Sequence, residues 1–252
     1  HPEPLDDGYR FDGNSSITIQ DAPAVTGDCS VAFWIKPETT SVRQTFYEKG
    51  YGSEGTINFE PNAAMRYYFG TGSGNSSPYY QLNSPVIPLN QWTHAVIVRN
   101  LTTGVVTWFI NGEQTTSMTT TFTSSGISTV PFCIGTGYTS GFIGSLRDLK
   151  QFATALSSDE VKELYHRRAS LDAQGNFYAS SFSEVQPSRR ISQAGEVAFD
   201  GFSEIGITDG LVAYYPLTKD AKDYSGNGND GVVNGAVPVG GGFDGNGAYR
   251  FD

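Results

Sequence analysis

The chain has 252 residues, 38% hydrophobic and 17% charged, a globular composition with room for one all-β sandwich or two small domains. Its 16 Lys and Arg against 26 Asp and Glu leave no surplus of cations for nucleic-acid phosphates or an anionic bilayer, so neither is an expected partner. No run approaches the ~20 apolar residues of a membrane span. The start, His1-Pro2-Glu3-Pro4, lacks the basic-then-apolar layout of a signal peptide, so the chain reads as a mature product or fragment, or one whose export is encoded elsewhere.

Glycine, tyrosine, phenylalanine, serine and threonine are abundant and methionine is scarce, which favours strands joined by tight turns. Ser16 to Ile19 alternates apolar and polar residues. Val31 to Lys36 is a nearly continuous apolar run closed by Pro37, as in a strand covered on both faces. His94–Arg99 and Val105–Ile110 face each other across Asn100-Leu101-Thr102-Thr103-Gly104 and predict a hairpin. Asn111-Gly112 follows, a turn pair that accepts positive φ, and predicts a further strand over Glu113–Ser117. One helix is predicted from Ser157, where Ser-Ser-Asp-Glu forms a capping box with Glu160 and Val161, Leu164 and Tyr165 share a face. Cys29 and Cys133 lie in apolar strand-like runs; they form one disulfide in an oxidising compartment or pack as buried thiols. No Cys-x-x-Cys spacing supports metal ligation by cysteine.

Two repeats organise the rest. Leu171 to Val185 matches Ile191 to Ile205 at an offset of 191 − 171 = 20 residues, read as two stacked β-arches or hairpins. Tyr9-Arg10-Phe11-Asp12 returns as Tyr249-Arg250-Phe251-Asp252, an offset of 249 − 9 = 240, which suggests a repeating unit of that length.

The series Phe11-Asp12-Gly13-Asn14, Val31 to Pro37, Gln91-Trp92-Thr93-His94, Trp108-Phe109-Ile110-Asn111-Gly112, Gly141 to Asp148 and Ala155 to Val161 resembles laminin G-like domains of the concanavalin A-like lectin/glucanase superfamily, in order and spacing across residues 5–165. The resemblance implies a jelly-roll sandwich of two antiparallel sheets, often a non-catalytic sugar-binding or adhesion module and often calcium-containing. Such domains open with residues like Gly210 to Leu217 and Asp223 to Gly231, which here come last. The expected division is therefore a sandwich lacking its own first strand over residues 1–168, a connector over 169–209, and the opening of a next copy, or a donor segment, over 210–252.

Calcium needs converging oxygen ligands, and Asp223, Ser225, Asn227 and Asp230 supply them; the family pattern adds Asp148, although Arg147 stands where an acid is common. Sugar binding needs an aromatic face and polar partners for hydroxyls. Tyr67-Tyr68 and Tyr79-Tyr80 flank the flexible Gly70–Asn75 loop and are candidates for such a platform, which Tyr51 and Arg66 can join. Catalysis lacks the closely alternating acids of glucanases, since the nearest pair, Glu54 and Glu60, is flanked by turn residues. His94 lies in a strand, where a structural hydrogen bond is expected rather than a proton relay.

The sequence thus predicts an all-β jelly-roll β-sandwich of two antiparallel sheets with one short helix and small β-rich connector repeats. The expected role is a non-catalytic structural or adhesive unit of an extracellular, cell-surface or virion-surface fibre. Copies of the chain would join head-to-tail, by tandem linkage or by donation of Leu211, Val212, Ala213, Tyr214 and Tyr215 to the next copy's sandwich. A carbohydrate-binding module with a glycan partner and a glycoside hydrolase are the competing classes.

Overall fold

The computed structural model describes residues 8–171, 177–181, 209–217 and 220–239. In chain order the strands are β1 (Gly8–Asp12), β2 (Ser16–Ile19), β3 (Cys29–Pro37), β4 (Gln44–Lys49), β5 (Gly55–Phe59), β6 (Ala64–Gly70), β7 (Tyr79–Val86), β8 (Thr93–Asn100) and β9 (Val105–Ile110). They continue as β10 (Glu113–Thr119), β11 (Phe132–Ile134), β12 (Ser140–Gly141) and β13 (Ile143–Phe152). The helix α1 (Ser158–His166) precedes β14 (Arg167–Leu171), β15 (Phe177–Ser181), β16 (Leu211–Tyr215), β17 (Val232–Asn234) and β18 (Val237–Val239).

Two eight-stranded sheets form the predicted sandwich. The first runs β10-β9-β8-β3-β13-β1-β18, with β16 also beside β13; the second runs β17-β2-β11-β4-β5-β6-β7, with β12 beside β4. Period-two alternation sends Phe33, Ile35, Phe46, Ile57, Phe59, Tyr67, Phe69 and Trp108 into the space between them, each at 2% exposure or less. At roughly 25 cal/mol per Å² of apolar surface, this interior supplies the main stabilising term.

Local signals act as read. Asn111 and Gly112 take φ of 51° and 82°, and the turn hands β9 to β10. Ser157 Oγ accepts the Glu160 amide at 3.3 Å while Glu160 Oε2 accepts the Ser157 amide at 2.7 Å, which closes the capping box. Val161 and Leu164 of α1 then cover Ala32, Val96, Phe109 and Phe152 on the outer side of the first sheet. Both cysteines are free thiols: Cys29 is buried, and Cys133 on β11 lies 3.8 Å from Thr18 Oγ1. Within the connector, β14 and β15 form a two-stranded antiparallel sheet, and the second 20-residue repeat, 191–205, lies outside the described residues.

The segment expected to enter a neighbouring copy docks instead on this chain's own sandwich. β16 pairs with β13 from Leu149↔Tyr215 to Phe152↔Leu211, β17 pairs with β2, and β18 pairs with β1. Along one edge of β13, β1 uses Ile143–Leu146 and β16 uses Leu149–Phe152, so β16 needs no place that β1 holds. Asp148 sits between the two stretches at a bulge, with φ of 50°, and its amide donates to Pro216 O at 3.0 Å. Ala213 and Tyr215 face the inter-sheet core and Tyr214 faces outward, while a register shift at Gln151/Phe152 turns Val212 toward the core and Leu211 toward the helix-covered cluster.

Candidate functional site

The outward face of the second sheet carries the chemistry. Alternation along β6 sends Tyr67 and Phe69 inward and Arg66 and Tyr68 outward. Across the ladder, Tyr79 is level with Gly70, Gln81 with Tyr68 and Asn83 with Arg66, so these three share the outward face. Tyr80 is level with Phe69 and points the other way, where it stacks on Phe69 and packs edge-on to Phe122. Its hydroxyl meets Thr121 Oγ1 at 3.2 Å. Of the sugar-site candidates, the structure therefore gathers Tyr51, Arg66, Tyr68 and Tyr79 and sends Tyr67 and Tyr80 inward, because neighbouring residues of one strand occupy opposite faces.

Tyr138 completes the group. Tyr51 makes edge contacts with Tyr68, Tyr79 and Tyr138, at centroid distances of 6.2, 5.2 and 4.9 Å. Tyr79 is 42% and Tyr138 62% exposed, so both rings stand at the surface. Beside the rings, Arg66 donates from Nε to Asn83 Oδ1 at 2.6 Å and from Nη1 to the Tyr68 hydroxyl at 3.2 Å. Glu60 is buried between Arg43, at 2.9 Å from its Oε2, and Arg66, at 3.6 Å from its Oε1. Glu60 Oε1 is buried, accepts no hydrogen bond among the described residues and faces the Arg66 guanidinium, which connects it to the Tyr68 hydroxyl at the edge of the aromatic wall.

Glu48 holds this wall in shape. Its Oε1 accepts the Gly50 amide at 2.9 Å and the Thr56 hydroxyl at 3.1 Å, and its Oε2 accepts the Tyr138 amide at 3.0 Å. One carboxylate thus ties the turn that carries Tyr51 to the loop that carries Tyr138, and Asn75 Oδ1 accepts the Tyr51 amide at 2.9 Å. Burial pushes the Glu48 carboxyl above its ordinary value, opposed by the hydrogen bonds it receives. From below, buried Arg99 donates to the carbonyls of Val25, Gly27 and Glu54 and to the Tyr67 hydroxyl, fixing the Gly50–Glu54 turn to the core. Glu54 itself is spent on structure, accepting the amides of Val25 at 2.8 Å and Ser128 at 3.0 Å. Tyr138 and Glu48 are the members the sequence reading left out, and Glu60 entered it only as one of an acid pair.

The calcium candidates organise the loop after β16. Asp223 Oδ1 accepts the amides of Tyr214 and Ser225, and its Oδ2 accepts that of Asn229, at 3.0, 2.8 and 3.0 Å. Asp230 Oδ1 accepts the Asp223 amide, Ser225 Oγ donates to Val212 O, and Asn227 Nδ2 donates to Leu211 O and Val212 O. Asp148 Oδ1 accepts the Tyr214 hydroxyl at 3.1 Å. Asp148 and Asp223 therefore hold opposite ends of Tyr214 and do not meet at one point. Among the described residues no group of three His, Cys, Asp or Glu is placed to hold a metal ion. A cleft of about 400 Å³ beside β16, lined in part by Asp21, Pro23, Leu211 and Asn227, contains neither an aromatic wall nor an ion pair. His94 packs its ring against Trp34 and Tyr165 instead of making the expected hydrogen bond, and burial with Lys150 and Arg147 nearby pushes its pKa down to about 3.

No curated protein sequence matches the chain. Among solved structures, a candidate carbohydrate binding protein from Bacteroides ovatus superposes with a TM-score of 0.61 at 14% identity, over 95% of this chain and 61% of that one. The chain thus spans about three-fifths of that protein's length. A heptameric pentraxin from Limulus polyphemus is similar at a TM-score of 0.46 and 18% identity, over 71% of this chain and 94% of that one. Domain 4 of an extracellular arabinanase from Geobacillus stearothermophilus, solved with arabinotriose, gives 0.48 and 24%, over 61% of this chain and 74% of that one. With the two-sheet sandwich in place and a laminin G-type model described as the concanavalin A-like lectin/glucanases superfamily matching residues 11–162, the chain belongs to that superfamily.

Proposed function

We propose that the chain is a non-catalytic, lectin-like carbohydrate-binding module, and that a hydroxyl-rich glycan lies along Tyr51, Tyr68, Tyr79 and Tyr138. The observation that supports this reading is the grouping of Tyr51 with the exposed rings of Tyr79 and Tyr138 on one face, beside Tyr68 and the Arg66 side chain that donates to its hydroxyl. Pyranose C–H faces pack on aromatic rings, and sugar hydroxyls accept from Arg43 and Arg66. An extracellular or surface location goes with this role.

Hydrolysis is the weaker reading. The two outward acids of the second sheet are Glu48, level with Thr56, and Glu60, which follows Phe59, itself level with Gln44. That places them roughly 15 Å apart along the strands at ~3.3 Å per residue, beyond the ~5–9.5 Å that retaining and inverting mechanisms use. The test is a glycan array followed by calorimetry on the best ligand. Tyr51→Ala and Tyr79→Ala should each weaken binding about tenfold, from ~1–1.5 kcal/mol of lost ring contact, while Tyr80→Ala leaves affinity unchanged. Equal effects from Tyr79→Ala and Tyr80→Ala would remove the assignment of the site to this face.

A further inference from the structure

Two guanidinium groups stand beside the aromatic wall and share a single carboxylate. Arg43 precedes β4 and Glu60 follows β5, and because Gln44 is level with Phe59 the two side chains meet on the outward face of the second sheet. Arg66 reaches the same carboxylate from β6. Arg43 makes one pairing among the described residues, Nε to Glu60 Oε2 at 2.9 Å, so the edge of its fork that carries both Nη nitrogens is unused there. Its side chain is 42% exposed and that of Arg66 20%, whereas Glu60 lies buried beneath them.

Charge does not balance at this place. Two cations face one anion, which leaves an excess of one positive charge beside the rings. The other carboxylate of this face, Glu48, is buried and already accepts from Gly50, Thr56 and Tyr138, so it presents no compensating charge to a ligand. Glu60 grips Arg43 from the inner side and thereby orients the fork before any ligand arrives, which lowers the entropic cost of using it. The phenols of Tyr68 and Tyr79 lie within electrostatic range of the Arg43 guanidinium, so the cation and the rings belong to one surface.

A sugar packed on those rings brings its substituents to the guanidinium. A hydroxyl there makes one neutral bond, whereas a carboxylate meets both Nη nitrogens through two parallel charge-assisted bonds, each about twice as strong. A neutral sugar also covers the fork without returning a charge for the hydration it displaces. The net charge of −10 selects among anions: a long polyanion meets repulsion from the rest of the chain beyond the ~8 Å screening length of physiological salt, while a single carboxylate does not need to extend that far. We infer that the glycan taken by this face is acidic, one of its sugars carrying a carboxylate that pairs with the unused edge of Arg43 and with Arg66 while the sugar rings lie on the tyrosines. The inference rests on the sugar-binding reading above and adds the chemical class of the ligand.

The test presents the full chain with matched glycans that differ at one group: glucuronic acid against glucose, galacturonic acid against galactose, and sialylated against desialylated ends on one core. The best pair is measured by calorimetry together with the methyl ester of the acid, which keeps the size and removes the charge. The acid should bind about 10- to 100-fold more tightly than its neutral partner and its ester, and the pair that shows this separates a uronic from a sialic source. Arg43→Gln should lower affinity for the acid about tenfold or more and for the neutral partner by less, while Arg43→Lys, which keeps the charge without the fork, should retain part of the preference. Urea midpoints verify that both variants are folded, and the ester comparison needs no variant at all. A neutral partner or ester that binds as tightly as the acid overturns the inference and leaves the sugar-binding face standing. An acid preference that a folded Arg43→Gln chain keeps in full also overturns it, because the carboxylate then sits elsewhere. Binding to no acidic or neutral glycan overturns the sugar-binding reading and this inference with it.

Discussion

Replacing Tyr215 with alanine tests whether residues 211–239 are part of the cooperative unit. The ring is fully buried, lies 6.2 Å from Phe132, and anchors the loop through its hydroxyl on Asn229 O. Removing a buried aromatic costs about 3–5 kcal/mol, and the lost hydrogen bond adds about 1 kcal/mol. Against a typical domain stability of about 5–15 kcal/mol, the variant should lose roughly a quarter or more of its margin. Tyr215→Phe keeps the ring and should lose only about 1 kcal/mol. Urea unfolding followed by tryptophan fluorescence, at one low chain concentration, reads both. Trp34, Trp92 and Trp108 all lie in the part built by residues 8–166, so their signal reports that part's response to a change in the closing segment. Tyr215→Ala unfolding at the parent's midpoint would refute the reasoning, because the segment would then be an appendage.

Acid should weaken the fold through His94. Its folded pKa of about 3 against an unfolded 6.5 means the native state refuses a proton that the unfolded chain takes, so stability present above pH 6.5 is lost as pH falls toward 3. About 2 kcal/mol should disappear between pH 7 and pH 5, and His94→Phe should flatten that slope in urea titrations at the two pH values. Calcium tests the ligand set Asp148, Asp223, Ser225, Asn227 and Asp230. Both Asp223 oxygens already accept backbone amides and Asp148 is at the far end of Tyr214, so the melting temperature should be equal in chelator and in millimolar calcium.

The elements fixed by short-range chemistry were legible in the sequence. The Asn111-Gly112 turn, the Ser157/Glu160 capping box and the buried run ending at Pro37 each rest on a handful of neighbouring residues, and the structure contains all three. The candidate site was legible in part. Tyr51, Arg66 and Tyr79 converge, but separating Tyr79 from Tyr80 requires the strand parity that the ladder with β6 sets, and a one-residue slip reverses it. Tyr138 was hidden because its loop is placed by Glu48, 138 − 48 = 90 residues away. The destination of Leu211–Tyr215 was misread for a related reason. Spacing shows that a strand is missing from the opening of the sandwich, but only the bulge at Asp148 shows that β13 is long enough to pair with β1 and β16 on the same edge.

That late closure sets an order of events during synthesis. Leu211 follows Phe152 by 211 − 152 = 59 residues, so at about 5–20 residues per second a ribosome delivers the closing strand some 3–12 s after β13 is complete. Throughout that interval the lower half of β13 presents unpaired amides and carbonyls, the kind of edge that recruits any extended chain within reach. On a polysome, nascent copies of this protein are held side by side while their edges stand open. The translation rate through residues 153–210 and the spacing of ribosomes on one message then become physical variables of the fold, because they set how long each edge waits and whose strand arrives first.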